Sequence, residues 1–217
     1  MKPFMKCIFP LLYYVVGGAL KLLYRVEASG TENVPQDGCV LLCPNHSNDI
    51  DPVLIGCCMP ISFIYKMRFM AKAELFENRF MHWFLGQLGA FPVHRDTTDI
   101  QSVKTAMQTL RAGGNLLIFP EGTTIHDGIG SYDGLPAHAH SGAMMIGTRT
   151  GATMIPVFSD GNKKMFKKTR IIFGAPYQPT YTGRRGTSEE LQQCADEMLR
   201  ITYALGGQAV GGKPLCE

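Results

Sequence analysis

The chain has 217 residues, enough for one large domain with short appendages and ample for a buried core. Hydrophobic residues make up 45% and charged residues only 18%, so some apolar surface is expected to face something other than water. A net charge of +3, with no zinc-finger spacing, no RRM-type aromatic signature and no long basic arm, gives no ground for a nucleic-acid partner. It suits a weak attraction to an anionic membrane or to acidic ligands.

The N-terminus reads MKPFMK, then CIFPLLYYVVGGAL, then KLLYRV. The uncharged run has 14 residues, whereas a spanning helix needs about 20. Pro10 and the pair Gly17 and Gly18 further weaken a straight spanning helix. A signal peptide and a buried core helix are alternatives. The favoured expectation for residues 1–28 is a membrane-interface helical segment. Lys2, Lys6, Lys21 and Arg25 would reach headgroups, with Tyr13, Tyr14 and Tyr24 at the boundary. Seven scattered cysteines, an odd count without a CxxC pair, argue against a disulfide framework, secretion or a structural zinc site.

Beyond residue 28, short apolar runs with strand character recur at 39–43, 61–65, 90–94, 115–119, 153–158 and 170–173. Helical candidates lie between and after them, at 53–58, 79–88, 99–111, 141–150 and 188–205. In the third of these, Ile100, Val103, Met107 and Leu110 recur at helical spacing and Gly113 and Gly114 close it. The alternation predicts an α/β domain over 29–205, a mixed, largely parallel sheet flanked by helices, with ligands beyond the carboxyl ends of the strands. The Gly-rich segment 206–217 reads as a flexible tail.

The stretch CPNHSNDIDP, residues 43–52, stands where a strand should give way to a helix. His46 can accept a proton near neutral pH, and a carboxylate could fix its tautomer. Asp51 is five residues on. Along a continuous helix that offset is about 140°, so the two meet only if the chain turns between them. Ser47, Asn48 and Asp49 have turn-forming composition, and Asp49 is a rival partner on spacing alone. Three later stretches matter: GAFPVHR ending at Arg95, LLIFPEGT containing Glu121, Gly122 and Thr123, and ATMIPVF.

In this order, the stretches resemble the glycerolipid acyltransferase family that includes 1-acylglycerol-3-phosphate acyltransferases. The family's signatures correspond here to NHSNDID, to the strand closing on Arg95, to FPEGT at 119–123 and to MIPVF. AKAELF, with Lys72, resembles a lysine-containing stretch between the first two. The match runs from about residue 25 to about residue 205, most of the chain, which makes 29–205 an acyltransferase domain. The resemblance selects Asp51 over Asp49. It implies transfer of a fatty acyl group from an acyl carrier protein or coenzyme A thioester to the hydroxyl of a lysophospholipid. His46 would be the general base and Asp51 its orienting group. Arg95, with Lys72 as a weaker candidate, would bind the acceptor phosphate; Glu121, Gly122 and Thr123 would shape the acceptor pocket, Glu121 at a glycerol hydroxyl or a nearby cation. The resemblance implies no cofactor and no metal, and places the chain at the cytoplasmic face of the cell membrane. The sequence also lacks a GxSxG elbow, as a direct transfer would allow.

The resemblance points to 1-acylglycerol-3-phosphate as the acceptor. The sequence departs from the pattern on the acceptor side, however, which keeps open another lysolipid or an aminolipid as acceptor, or a lipid-binding relative without turnover. FPEGT is followed by Thr124 where the family usually has arginine, and Arg95 is preceded by His94 rather than an acidic residue. His126, His138 and His140 are candidate replacements for the missing contact, without the spacing of a standard metal-ligand set. KKMFKKTR, residues 163–170, holds five basic residues. It reads either as a solvated loop or as a patch for anionic headgroups or an acidic carrier protein.

Overall fold

The computed structural model describes residues 3–94, 99–125, 131–132, 135–136, 138–161, 163–183 and 185–210. In chain order the elements are α1 (Pro3–Leu23), β1 (Val26–Ser29), β2 (Val40–Pro44), α2 (Asp51–Cys57), α3 (Ile61–Lys66), β3 (Met67–Lys72), α4 (Arg79–Gln87) and β4 (Ala90–Val93). There follow α5 (Ile100–Arg111), β5 (Asn115–Leu117), β6 (Ser131–Tyr132), β7 (Leu135–Pro136), α6 (Gly142–Thr150), β8 (Thr153–Ser159), β9 (Thr169–Phe173) and α7 (Ser188–Leu205).

The main sheet has seven strands in the order β1-β9-β8-β2-β5-β3-β4. From β8 to β4 every neighbouring pair is parallel; β9 runs antiparallel to β8, and β1 is parallel to β9. This is the mixed, largely parallel sheet that the alternation predicts. β2 lies at its centre, with Leu41 opposite Leu116 on one side and Met154 on the other. All five β2 residues are buried, as a strand covered on both faces requires. Leu41 and Cys43 join the core that includes Ala106 of α5, Met144 of α6 and Met198 and Tyr203 of α7. Val40 and Leu42 point the other way, into the core with Leu54 and Ile55 of α2 and Phe63 of α3.

Residues 61–65 are not a strand. They form α3, and the strand follows as β3. A five-residue apolar run does not distinguish the two periods. Pro60, in an extended conformation at the N-cap, starts the helix, and of this run only Phe63 is buried. At β5 the ladder stops at Leu117, two residues before the end of the predicted apolar run.

α1 is a 21-residue helix that carries Pro10 within its first half. Leu11, Leu12, Tyr14, Val15, Val16 and Leu22 are exposed on it, so it is not a core helix. Tyr13 and Gly17 face α2 instead. The Tyr13 hydroxyl donates to the carbonyl of Gly56 (3.2 Å) and also contacts that of Met59, just past the end of α2. A Cβ on Gly17 would lie 3.1 Å from Cys57 Sγ, so this glycine lets the two helices approach. Among the described residues no helix is long and apolar enough to cross a membrane.

Candidate active site

The segments that leave the carboxyl ends of the adjacent parallel strands β5, β2 and β8 meet at His46. Asn45, immediately after β2, is fully buried. Its amide donates to the Ser159 carbonyl (3.0 Å) and its oxygen accepts from the Ser159 N–H (2.8 Å). This pair pins the loop to the end of β8 and sets the direction in which His46 leaves the sheet. The His46 N–H donates to Glu121 Oε2 (2.6 Å), and its carbonyl accepts from the Ile125 N–H (2.7 Å). Its ring stacks on Phe119 with centroids 3.9 Å apart. The backbone and one ring face are thus fixed by the segment that follows β5.

The chain then turns back. The Asp51 N–H donates to the Asn48 carbonyl (2.9 Å), and α2 opens at Asp51 itself rather than at Val53. The fold brings the carboxylate to the ring, with Asp51 Oδ2 3.2 Å from His46 Nδ1. Oδ2 also accepts from the N–H groups of Ser47 and Asn48, each at 2.8 Å. Oδ1 accepts from Ser159 Oγ (3.1 Å) and pairs with Lys163 Nζ at 2.5 Å. The Asp51 side chain is fully buried. Burial alone would push this carboxyl upward, but the His46 ring, the Lys163 ammonium and the Asn48 N–H outweigh it and hold the group below the usual carboxylate range.

A carboxylate at Nδ1 selects the tautomer with the proton on Nδ1 and leaves a lone pair on Nε2. Nε2 lies 2.9 Å from Thr124 Oγ1, so a hydroxyl already stands where a general base would take a proton. The rival aspartate is placed differently: Asp49 Oδ1 lies 3.4 Å from the same threonine oxygen. Cys43, at the end of β2, is no competing nucleophile, because burial pushes its thiol up to about 12.

Glu121 is buried and ties the segment after β5 to His46 and to α7. Besides accepting from His46 N–H, it accepts from the Tyr203 hydroxyl of α7 at 2.6 Å. Gly122 has φ 68, and a Cβ there would meet His140 Cδ2 at 2.7 Å, so the turn calls for glycine twice over. Thr123 is half-buried beside it. Lys72, at the end of β3, is half exposed and lies 3.7 Å from Glu74; no contact joins it to His46. Arg95 and His126 lie outside the described residues. His138 is exposed and lies 3.6 Å from Asp196. Among the described residues, no group of His, Cys, Asp and Glu could hold a metal ion.

Sequence reasoning missed Ser159, Lys163 and Tyr203 as parts of this site. The run 163–170 is neither wholly solvated nor wholly a patch. The Lys163 side chain is buried against Asp51, Lys168 pairs with Glu27 (2.6 Å), and Arg170 pairs with Asp160 (2.8 Å). Lys164 and Lys167 remain exposed, flanking exposed Met165 and Phe166. The basic density signalled a special segment, but nothing local separated the one inward lysine from its neighbours.

A histidine paired with a buried aspartate at the strand ends of a mostly parallel sheet marks the candidate site of an α/β protein. Residues 25–160 match the Acyltransferase family, and the chain belongs to that family. It is 30% identical over 175 residues to the 1-acyl-sn-glycerol-3-phosphate acyltransferase of Bacillus subtilis, covering 76% of this chain and 82% of that one. The enzyme of the same name from Pseudomonas aeruginosa is 28% identical over 192 residues, 83% of this chain and 69% of that one. The crystal structure of the 1-acyl-sn-glycerophosphate acyltransferase from Thermotoga maritima shares the fold, with TM-score 0.58 at 21% identity over 91% of this chain and 81% of that one.

Proposed function

We propose that the protein moves a fatty acyl group from an acyl thioester, on acyl carrier protein or coenzyme A, to the free hydroxyl of a lysophospholipid. The simplest acceptor is 1-acylglycerol-3-phosphate, giving phosphatidic acid. The observation that carries this reading is the His46–Asp51 pair at 3.2 Å, with Nε2 turned to a hydroxyl, in a member of the acyltransferase family.

In this reading the acceptor hydroxyl replaces that of Thr124 at Nε2. His46 takes its proton as the oxygen attacks the thioester carbonyl, and the buried Asp51 carboxylate stabilises the imidazolium. The tetrahedral intermediate collapses, the C–S bond breaks, and the thiolate leaves with the proton that His46 returns. No enzyme nucleophile and no cofactor is required. Arg95 and Lys72 are assigned to the acceptor phosphate, which suits cationic donors. Gly122 and Thr123 line the acceptor pocket, while Glu121 acts through the backbone of His46. Thr124, where the family usually has arginine, favours a second reading of the acceptor: another lysolipid or an aminolipid. The exposed apolar side chains of α1 and of Met165 and Phe166, near Lys164 and Lys167, support a site of action at the membrane surface; we assign it to the cytoplasmic face, where the thioester donors would be.

The test is incubation with labelled acyl-coenzyme A or acyl carrier protein and a panel of lysolipids, with products identified by mass. Phosphatidic acid is expected from the wild type and none from His46→Ala. Undiminished transfer by the variant would overturn the base assignment.

A further inference from the structure

The contact between Lys163 and Asp51 has no place in the acyl transfer described above. Both side chains are fully shielded from solvent. Lys163 Nζ lies 2.5 Å from Asp51 Oδ1, donates to Ser47 Oγ at 2.8 Å, and contacts the Asp160 carbonyl. Three acceptors thus surround the ammonium. The Asp160 carboxylate, the other acid of that segment, is taken by Arg170, with Nη2 to Oδ1 at 2.8 Å and the Arg170 N–H to Oδ2 at 2.6 Å. Within this cluster, Asp51 is therefore the carboxylate paired with Lys163.

A fully buried aspartate beside a histidine poses a difficulty for a general base. An uncompensated carboxylate stabilises the imidazolium, and a histidine already protonated cannot accept a proton. Orientation of the ring needs the carboxylate; basicity near neutral pH needs its charge offset. Here the two oxygens divide the task. Oδ2 takes the ring and two backbone N–H groups, and Oδ1 takes Lys163 and the Ser159 hydroxyl. We infer that Lys163 is a positioning residue for the proposed pair: its ammonium offsets the Asp51 charge, so that His46 is oriented by a carboxylate yet stays neutral and basic near neutral pH. This rests on the proposed role of His46 as the base.

The other groups near the pair leave this logic intact. Asp49 reaches the ring only through the Thr124 hydroxyl. Glu121 sits under the His46 backbone and accepts from Tyr203. His140 stands beside Gly122, and Asp160 and Arg170 neutralise each other.

The experiment is the pH profile of kcat/KM in full-length Lys163→Met and Lys163→Arg. In the methionine variant the acid limb, which reports the base losing its proton, should move up by about 1 to 2 pH units. In Lys163→Arg it should stay near the wild-type position. A folded Lys163→Met enzyme that loses rate equally at all pH values, with the limb unmoved, overturns the inference. Because the methionine leaves Asp51 with an unpaired buried charge, that variant is open to unfolding. The second measurement avoids this with Lys163→Gln, whose amide can still donate to Asp51 Oδ1 but carries no charge. Titration of the His46 ring by nuclear magnetic resonance should rise by a similar amount when the lysine is removed; an unchanged midpoint overturns the inference. This readout needs no turnover, so it separates failure of the Lys163 role from failure of the general-base reading, which His46→Ala decides.

Discussion

The hydroxyl of Thr124 stands 2.9 Å from Nε2 of His46, the ring nitrogen that Asp51 does not touch. The family's usual arginine at this place would bring a charged, longer side chain. Threonine instead fills the position that the attacking oxygen would take in the proposed reaction. The residue that looks like a lost phosphate contact in the sequence is therefore a neighbour of the proposed base itself.

Removal of that hydroxyl is the first prediction. In Thr124→Val the free enzyme loses one hydrogen bond, worth about 0.5 to 1.5 kcal/mol, that acceptor binding would have to break anyway. Acceptor kcat/KM should therefore rise by about two- to tenfold, while Thr124→Ser stays near wild type. Initial rates over acceptor concentration at fixed thioester check this. If Thr124→Val falls as low as His46→Ala, the hydroxyl belongs to the catalytic machinery and the reading of it as a placeholder is wrong.

Acid should weaken the fold through Asp51. Its folded carboxyl titrates below the ordinary value of about 3.9. The resulting stabilisation is fully present above that unfolded value and is lost as pH falls through it toward the lower folded one. At about pH 6, Asp51→Asn should cost on the order of 3 kcal/mol, because it leaves the buried Lys163 charge without its partner. At about pH 3 the gap between wild type and variant should shrink. Urea midpoints at the two pH values decide; a constant gap would mean that the carboxylate charge is not what stabilises the site.

How far the site could be read from the sequence depended on range. The turn between His46 and Asp51 is encoded within ten residues, by Ser47, Asn48 and Asp49, so local chemistry was enough to expect it. The choice between Asp49 and Asp51 was only partly local: besides the N–H groups of Ser47 and Asn48, Ser159 and Lys163, more than a hundred residues away, gather on Asp51. Glu121 shows the same limit. FPEGT marked it as special, but its use of both His46 N–H and Tyr203 Oη follows from where β5 and α7 end. The α/β alternation was legible because the buried central strands are continuous apolar runs. It failed at 61–65, where five apolar residues fit either period and Pro60 decided for helix.

The brace on Glu121 yields the third prediction. Tyr203 is fully buried on α7, packed edge-on against Phe158, and its hydroxyl donates to Glu121 at 2.6 Å. Tyr203→Phe keeps the ring and removes the donor to a buried carboxylate, which should cost about 1 to 3 kcal/mol of stability. Since Glu121 also holds the His46 N–H, kcat should fall more than acceptor KM changes. Thermal melts and steady-state kinetics on the same preparation test both parts. Unchanged kcat would show that the position of His46 does not depend on this link.

The last prediction concerns the surface. Phe166 is 71% exposed and Met165 59% exposed, between Lys164 and Lys167. Phe166 has φ 64, a strained conformation for a bulky residue, and its N–H donates to the Leu23 carbonyl at the end of α1 (2.6 Å). Two bulky apolar side chains are therefore held outward beside the helix whose exposed face includes Leu11, Leu12, Val15 and Val16. Water gains nothing from this arrangement, whereas a bilayer interface would take up the apolar groups and anionic headgroups would meet the lysines. Burying one phenylalanine side chain is worth about 1.5 to 3 kcal/mol, so Phe166→Ser should weaken partition onto anionic phospholipid vesicles by about tenfold or more. Leu11→Ser/Val15→Ser should weaken it as well, and Lys164→Gln/Lys167→Gln should flatten its dependence on the anionic lipid fraction. Co-sedimentation with vesicles measures all three. Equal binding by Phe166→Ser and wild type would remove this loop from the membrane surface and leave α1 as the contact to test.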